Sequence, residues 1–135
     1  MVHNAGVSWQ TVRAAAEYHV QAPDGSEIRL LLKGAGASMV HCRVPPGQVT
    51  HAVRHRNVEE LWYCIAGAGQ LWRKSALSQE VVDLTPGLAV TIPVGVEFQF
   101  RGTGNEPLEV VITTVPPWPG ADEAVPAEGP WESTR

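Results

Sequence analysis

The chain has 135 residues, 44% of them apolar and 18% charged, with 14 acidic against 10 basic side chains and a formal net charge of −4. That is ordinary globular composition at one-domain length, and it excludes a disordered or fibrous chain. With no basic surplus and no continuous apolar run of ~18 residues, neither nucleic acid nor a membrane is expected as a partner.

The opening Met1-Val-His-Asn-Ala-Gly6 shows no basic stretch followed by an apolar one, so no secretory signal is expected and the protein is read as cytoplasmic. Cys42 and Cys64 form no CxxC pair and are expected to be reduced, buried thiols. One helix is expected, over Ser8–Glu17, with Ser8 as N-cap and Thr11-Val-Arg-Ala-Ala-Ala16 supplying propensity. From there, thirteen glycines and eleven prolines help cut the chain into short β-rich runs. These are Glu27–Lys33, Ala37–Val44, Val49–Arg54, Glu60–Ala66, Gln70–Lys74, Glu80–Leu84, Leu88–Ile92, Val96–Arg101 and Leu108–Val115. Turn chemistry separates them, as in Pro45-Pro-Gly47, Gly67-Ala-Gly69 and Pro86-Gly87. Many short strands at this spacing predict an all-β sandwich or barrel. Several runs are apolar on both parities. In Glu60–Ala66, Trp62 and Cys64 share one face and Leu61, Tyr63 and Ile65 the other, which predicts a strand covered on both sides. The end of the chain, rich in proline and acidic residues and bearing Trp118 and Trp131, reads as an extended arm that docks, because exposed indoles are costly. The organisation is therefore an N-terminal segment 1–25, a barrel 26–115 and a Pro/Trp-rich arm 116–135.

The segment Pro45-Pro-Gly-Gln-Val-Thr-His-Ala-Val-Arg-His-Arg-Asn-Val-Glu-Glu-Leu-Trp-Tyr-Cys-Ile-Ala-Gly67 resembles the first motif of the cupin superfamily, written G, five residues, H-x-H, three or four residues, E, six residues, G. Counted from Gly47, the two His positions fall on Val53 and His55, the Glu on Glu60 and the last glycine on Gly67. The second motif, G, five residues, P-x-G, two residues, H, three residues, N, runs from Gly87 through Pro93 and Gly95. It places Phe98 at the His position and Gly102 at the Asn position. The resemblance spans about Glu27 to Val115 and is nearest to small bacterial one-domain cupins of the mannose-6-phosphate-isomerase-like type. It implies a double-stranded β-helix, the jelly-roll barrel, and pairing into homodimers through the sheets.

The resemblance also implies a metal held by three His and one Glu inside the barrel. Here Val53 and Phe98 carry no lone pair, so only His55 and Glu60 remain and no cofactor is expected. If a divalent transition metal did bind, His55 and Glu60 would need His51 or His41 as a partner. On a straight strand His51 lies four residues, ~13 Å, from His55, against ligand distances of ~2 Å. His55 and Glu60 are expected instead as an acid–base pair in a partly desolvated cavity. Glu59 is the alternative carboxylate, but the six-residue count to Gly67 favours Glu60. Val53, Trp62, Cys64, Trp72, Phe98 and Phe100 are expected to line the cavity, with Tyr63 on the outer side and Arg54 and Arg56 pointing away from His55. No P-loop, GxSxG or HExxH is present.

The expected function is small-molecule binding, with proton-transfer chemistry such as isomerisation, enolisation, cyclisation or dehydration. The alternatives are a metal-dependent cupin enzyme with rearranged ligands, a dioxygenase or isomerase, and a non-catalytic binding or sensing module. The residues leave open whether the chain is an enzyme.

Overall fold

Each β-rich run yields a strand in the computed structural model, which describes residues 8–135; the reading of Met1–Gly6 lies outside the described residues. The strands are β1 (Val20–Gln21), β2 (Glu27–Lys33), β3 (Ser38–Val44), β4 (Val53–His55), β5 (Glu59–Ala66) and β6 (Gly69–Lys74). There follow β7 (Gln79–Leu84), β8 (Ala89–Ile92), β9 (Glu97–Gly102), β10 (Leu108–Val115), a 3-10 turn at Ala121–Glu123 and β11 (Ala124–Pro126). Of the run Val49–Arg54, only a bridge from Val49 to Arg101 and the start of β4 are strand-like.

Two antiparallel sheets face one another, one ordered β1-β2-β3-β10-β5-β8 and the other β11-β4-β9-β6-β7. This is the jelly-roll arrangement, a double-stranded β-helix. Alternation along the strands points Cys42, Val44, Trp62, Cys64, Val110 and Ile112 of the larger sheet at Val53, Leu71, Phe98 and Phe100 of the smaller one. Gly67 makes the β5–β6 turn with φ +76°, and a side chain there would collide with the Pro107 carbonyl. Cys42 and Cys64 are buried free thiols. They pair with Val110 from opposite sides. Among the described residues, no helix is long and apolar enough to cross a membrane.

Two expectations are corrected. Ser8–Glu17 forms no helix. It runs beside the free edge of β2, where Gln10 Nε2 donates to Lys33 O and the Arg29 guanidinium donates to the carbonyls of Ala15 and Ala16. A helix of this length is marginal in isolation, so partners on a sheet edge override its propensity. The strand β5 is also not covered on both sides. Leu61, Tyr63 and Ile65 are 46%, 51% and 43% exposed, while Trp62 and Cys64 between them are buried. Among the described residues nothing layers over that outer face.

The arm returns to the smaller sheet. β11 pairs β4 through Ala124↔His55, Val125↔Arg54 and Pro126↔Val53. Arg56 donates from Nε to Asp122 O, and the Arg101 guanidinium stacks 4.1 Å from the Trp131 ring centroid. Arg135 donates to Gly25 O and meets Glu27.

Candidate functional site

Strand parity sets the site. In β4, Val53 and His55 point inward while Arg54 does not. In β5, Glu60 and Trp62 point inward and Glu59 is exposed, which settles which of the two carboxylates enters the barrel. Val53 lies directly opposite Phe98 of β9. Between the sheets, at the end bordered by β1 and β2, lies a cavity of about 530 Å3. Its apolar walls include Ile28, Val40, Val53, Trp62, Ile112 and Trp118, and Asp24, His55 and Glu60 are its ionisable interior groups.

Trp62 Nε1 donates to Glu60 Oε1 at 2.9 Å. Glu60 Oε2 stands 3.9 Å from His55 Nδ1, too far for a hydrogen bond. His55 Nδ1 is buried and has no partner among the described residues. Phe98 and Trp118 clasp the imidazole edge-on, at centroid distances of 5.2 and 5.1 Å. Burial lowers the His55 pKa to about 4, against a smaller opposing pull from Glu123. Burial raises Glu60 to about 8; the Trp62 hydrogen bond opposes this and the nearby Asp24 charge adds to it. At neutral pH the pair is therefore a neutral imidazole facing a carboxylic acid. The whole arrangement can accept a proton at one atom and donate one at another.

Of the residues expected at the site, Val53, His55, Glu60 and Trp62 border the cavity. Phe98, Phe100 and Cys64 point inward but pack in the core beside it, with Phe100 4.8 Å from the Trp62 centroid. Burial raises the Cys64 pKa, so its thiol is inert at neutral pH. Trp72 lies on the other face of the small sheet. It pairs with Gln99, which bonds the arm at Trp131, and its Nε1 donates to Gln79 Oε1. Its neighbour Leu71 takes the inward place opposite Phe100.

The donor set does not fit a divalent transition metal. Val53 and Phe98 cannot ligate. His41 points out of the barrel and bonds Glu109 Oε1 through Nε2 at 2.7 Å. His51 is exposed and borders a separate hollow under the arm, with Gln99 and Trp131. Among the described residues, no three His, Cys, Asp or Glu side chains converge as metal ligands. Asp24, His55 and Glu60 border one cavity but do not converge on a common point as the three or four ligands of a protein metal site do.

Sequence reasoning missed three residues. Asp24 lines the cavity from the turn before β2, its Oδ1 accepting from Ser26 N and Ser26 Oγ. Burial raises its pKa. Trp118 reaches the cavity from the arm. Glu123 fastens that arm: its carboxylate accepts from Asn57 N at 2.6 Å, Val58 N at 2.8 Å and Asn57 Nδ2 at 2.9 Å. Only Asp24-Gly-Ser26, a turn with a side-chain acceptor, left a local signal.

The Cupin domain family profile matches residues 40–114. An uncharacterised protein of Methanocaldococcus jannaschii is 30% identical over 107 residues, covering 76% of this chain and 82% of its own. Among solved structures, oxalate decarboxylase from Bacillus subtilis superposes with a TM-score of 0.71 at 16% identity, over 87% of this chain and 33% of that one. Streptomyces PAC13, solved with uridine, gives 0.67 at 15% identity over 88% and 92%.

Proposed function

The chain belongs to the cupin domain family, and on that premise we propose that it binds a small, largely apolar organic molecule in the barrel cavity and moves a proton on it with His55 and Glu60. The observation that carries this reading is the buried His55 Nδ1, unpartnered among the described residues and facing Glu60 Oε2 across 3.9 Å in a cavity walled by Trp62 and Trp118. A substrate beside them completes the hydrogen bonding that His55 Nδ1 and Glu60 Oε2 lack among the described residues. In the Nε2–H tautomer, His55 takes a proton at Nδ1 while protonated Glu60 gives one at a second substrate atom. The net change is an isomerisation, an enolisation or a ring closure, or a dehydration where Glu60 protonates the departing hydroxyl. The imidazolium and carboxylate left behind attract each other and reset by returning the proton. Uridine in the Streptomyces structure supports a small organic occupant for this type of barrel. No step passes through a metal.

The same reading takes the working form as a homodimer, with a second copy covering Leu61, Tyr63 and Ile65 on the bare face of β5.

The test is a small-molecule binding screen followed by proton exchange in D2O, observed by NMR. A bound compound should exchange a carbon-bound proton for deuterium with the wild-type chain. His55→Ala should retain binding and lose the exchange. A wild-type chain that binds compounds yet exchanges nothing is a binding module, and the catalytic reading falls.

A further inference from the structure

Asp24 is a buried ionisable group of the cavity that the proton transfer does not use. It is 8% exposed and lines the cavity. Its Oδ1 is taken by Ser26, and among the described residues Oδ2 has no hydrogen-bond partner. Glu60 Oε2 and His55 Nδ1 are likewise unpartnered, and His55 is 5% exposed. Apart from protonated Glu60 and the imidazole N–H, the interior groups are acceptors, and among the described residues no cation lies within the cavity. The basic side chain at the cavity is Lys33, exposed at the rim. Arg135, behind Asp24, is occupied by Gly25 O and Glu27.

From this imbalance we propose that the occupant is an organic amine, its ammonium held at Asp24 and its apolar body lying against Trp62, Trp118 and Ile112. An ammonium brings a donor to Asp24 and the positive charge that the interior lacks. A carboxylate ligand would instead meet two carboxyl groups in a largely apolar cavity. Burial keeps both Asp24 and Glu60 above their ordinary carboxyl range, and at Asp24 it outweighs the Ser26 hydrogen bonds and the charges of His51 and Arg135. The titratable neighbours fit the same account. Cys42 is buried beside Asp24 and Glu60, with its pKa pushed up further by their charges; Glu27 adds to this, and Glu123 stands behind His55. His51 and Arg135 are the positive or protonatable groups near Asp24, and neither borders the cavity. With the amine anchored at Asp24, the rest of the molecule reaches His55 and Glu60, which keeps Glu60 free to act as the acid.

The inference rests on the cavity being the ligand site, and the test separates the two. Phenethylamine, 2-phenylethanol and phenylacetate share one carbon body and differ in charge at one end. Each is titrated calorimetrically into the full chain at neutral pH. Phenethylamine should bind about tenfold or more tightly than 2-phenylethanol, the least expected of a charge-assisted hydrogen bond in a dry site, with phenylacetate weakest. Asp24→Asn keeps an oxygen acceptor for Ser26. It should lower the amine to the affinity of the alcohol and leave the alcohol unchanged. If the alcohol or the acid binds the wild type as tightly as the amine, or if Asp24→Asn keeps the preference, the amine assignment falls while the cavity remains a ligand site. If none of the three binds, both readings fall.

Discussion

Glu60 and Glu123 are both buried glutamates beside His55, 6% and 2% exposed, and their pKa values move in opposite directions. Burial pushes both up. At Glu123, two backbone N–H groups and the Asn57 amide outweigh burial and hold the carboxyl below its ordinary value. At Glu60, one indole N–H does not, and the carboxyl rises to about 8. Burial alone thus says little about a carboxylate's task; the number of donors aimed at it decides. Glu123 is fully supplied and fastens the arm. Glu60 is undersupplied and is open to a ligand.

The sharpest break in that comparison is Glu123→Ala. It strips the acceptor from three donors at once, two of them backbone groups of the Asn57–Val58 turn. Thermal or urea unfolding should show a loss of about 3 kcal/mol or more. A loss under about 0.5 kcal/mol, the scale of an ordinary surface change, would mean that Glu123 fastens nothing.

The pH dependence of stability comes next in size. Glu60 holds its proton in the folded chain up to about pH 8 and in the unfolded chain only to about 4.5. Folding therefore binds a proton across that window, and this group makes the protein less stable as pH rises through it. Glu60→Gln removes the effect, so its melting temperature relative to wild type should climb between those two pH values. His55 acts oppositely: neutral down to about pH 4 when folded and to 6.5 when unfolded, it costs stability as pH falls between them. Glu123, with its folded pKa lowered, contributes stability above its unfolded value that is lost on acidification. The Glu123→Gln deficit should accordingly shrink at low pH. Parallel pH profiles for the two Gln variants would erase the distinction between the two sites.

Adding donors around Glu60 sharpens the comparison from the other side. Val53→His with Phe98→His places two imidazoles opposite each other on β4 and β9, next to His55 and Glu60. Near-equimolar cobalt uptake, read from visible absorption, is expected of the double variant. The single variants, with three ligands instead of four, should take up cobalt more weakly, and the wild type, with two, not at all. The smallest effect is expected from Tyr63→Glu on the bare outer face. It should leave the Glu60→Gln pH difference untouched and lower the sedimenting mass from dimer to monomer.

The strands were legible because glycine and proline punctuate them, and the two glycine-anchored spacings put Val53, His55, Glu60 and Phe98 inside the barrel. Tyr63 and Leu61 could not be read as bare, since apolar residues on both parities look alike whether or not a layer covers them. The helix reading of Ser8–Glu17 failed because propensity is local, whereas Arg29 captures that segment from the far side of a turn. Trp72 was misjudged because parity within a six-residue strand depends on which residue pairs across, and Leu71 takes the inward place opposite Phe100. Trp118 and Glu123 owe their roles to an arm that folds back over sixty-six residues to reach Asn57, a distance over which no spacing rule operates.

In the larger sheet β10 lies between β3 and β5, although it follows both in the chain. Until Leu108–Val115 is made, a nascent chain carries two open strand edges, one ending the β1–β3 meander and one on β5. Cys42 and Cys64 flank this seam and are sealed when Val110 enters between them. Their exposure to oxidants therefore belongs to synthesis and refolding rather than to the finished protein. A reductant present during refolding protects these thiols in a way that the same reductant, added afterwards, does not.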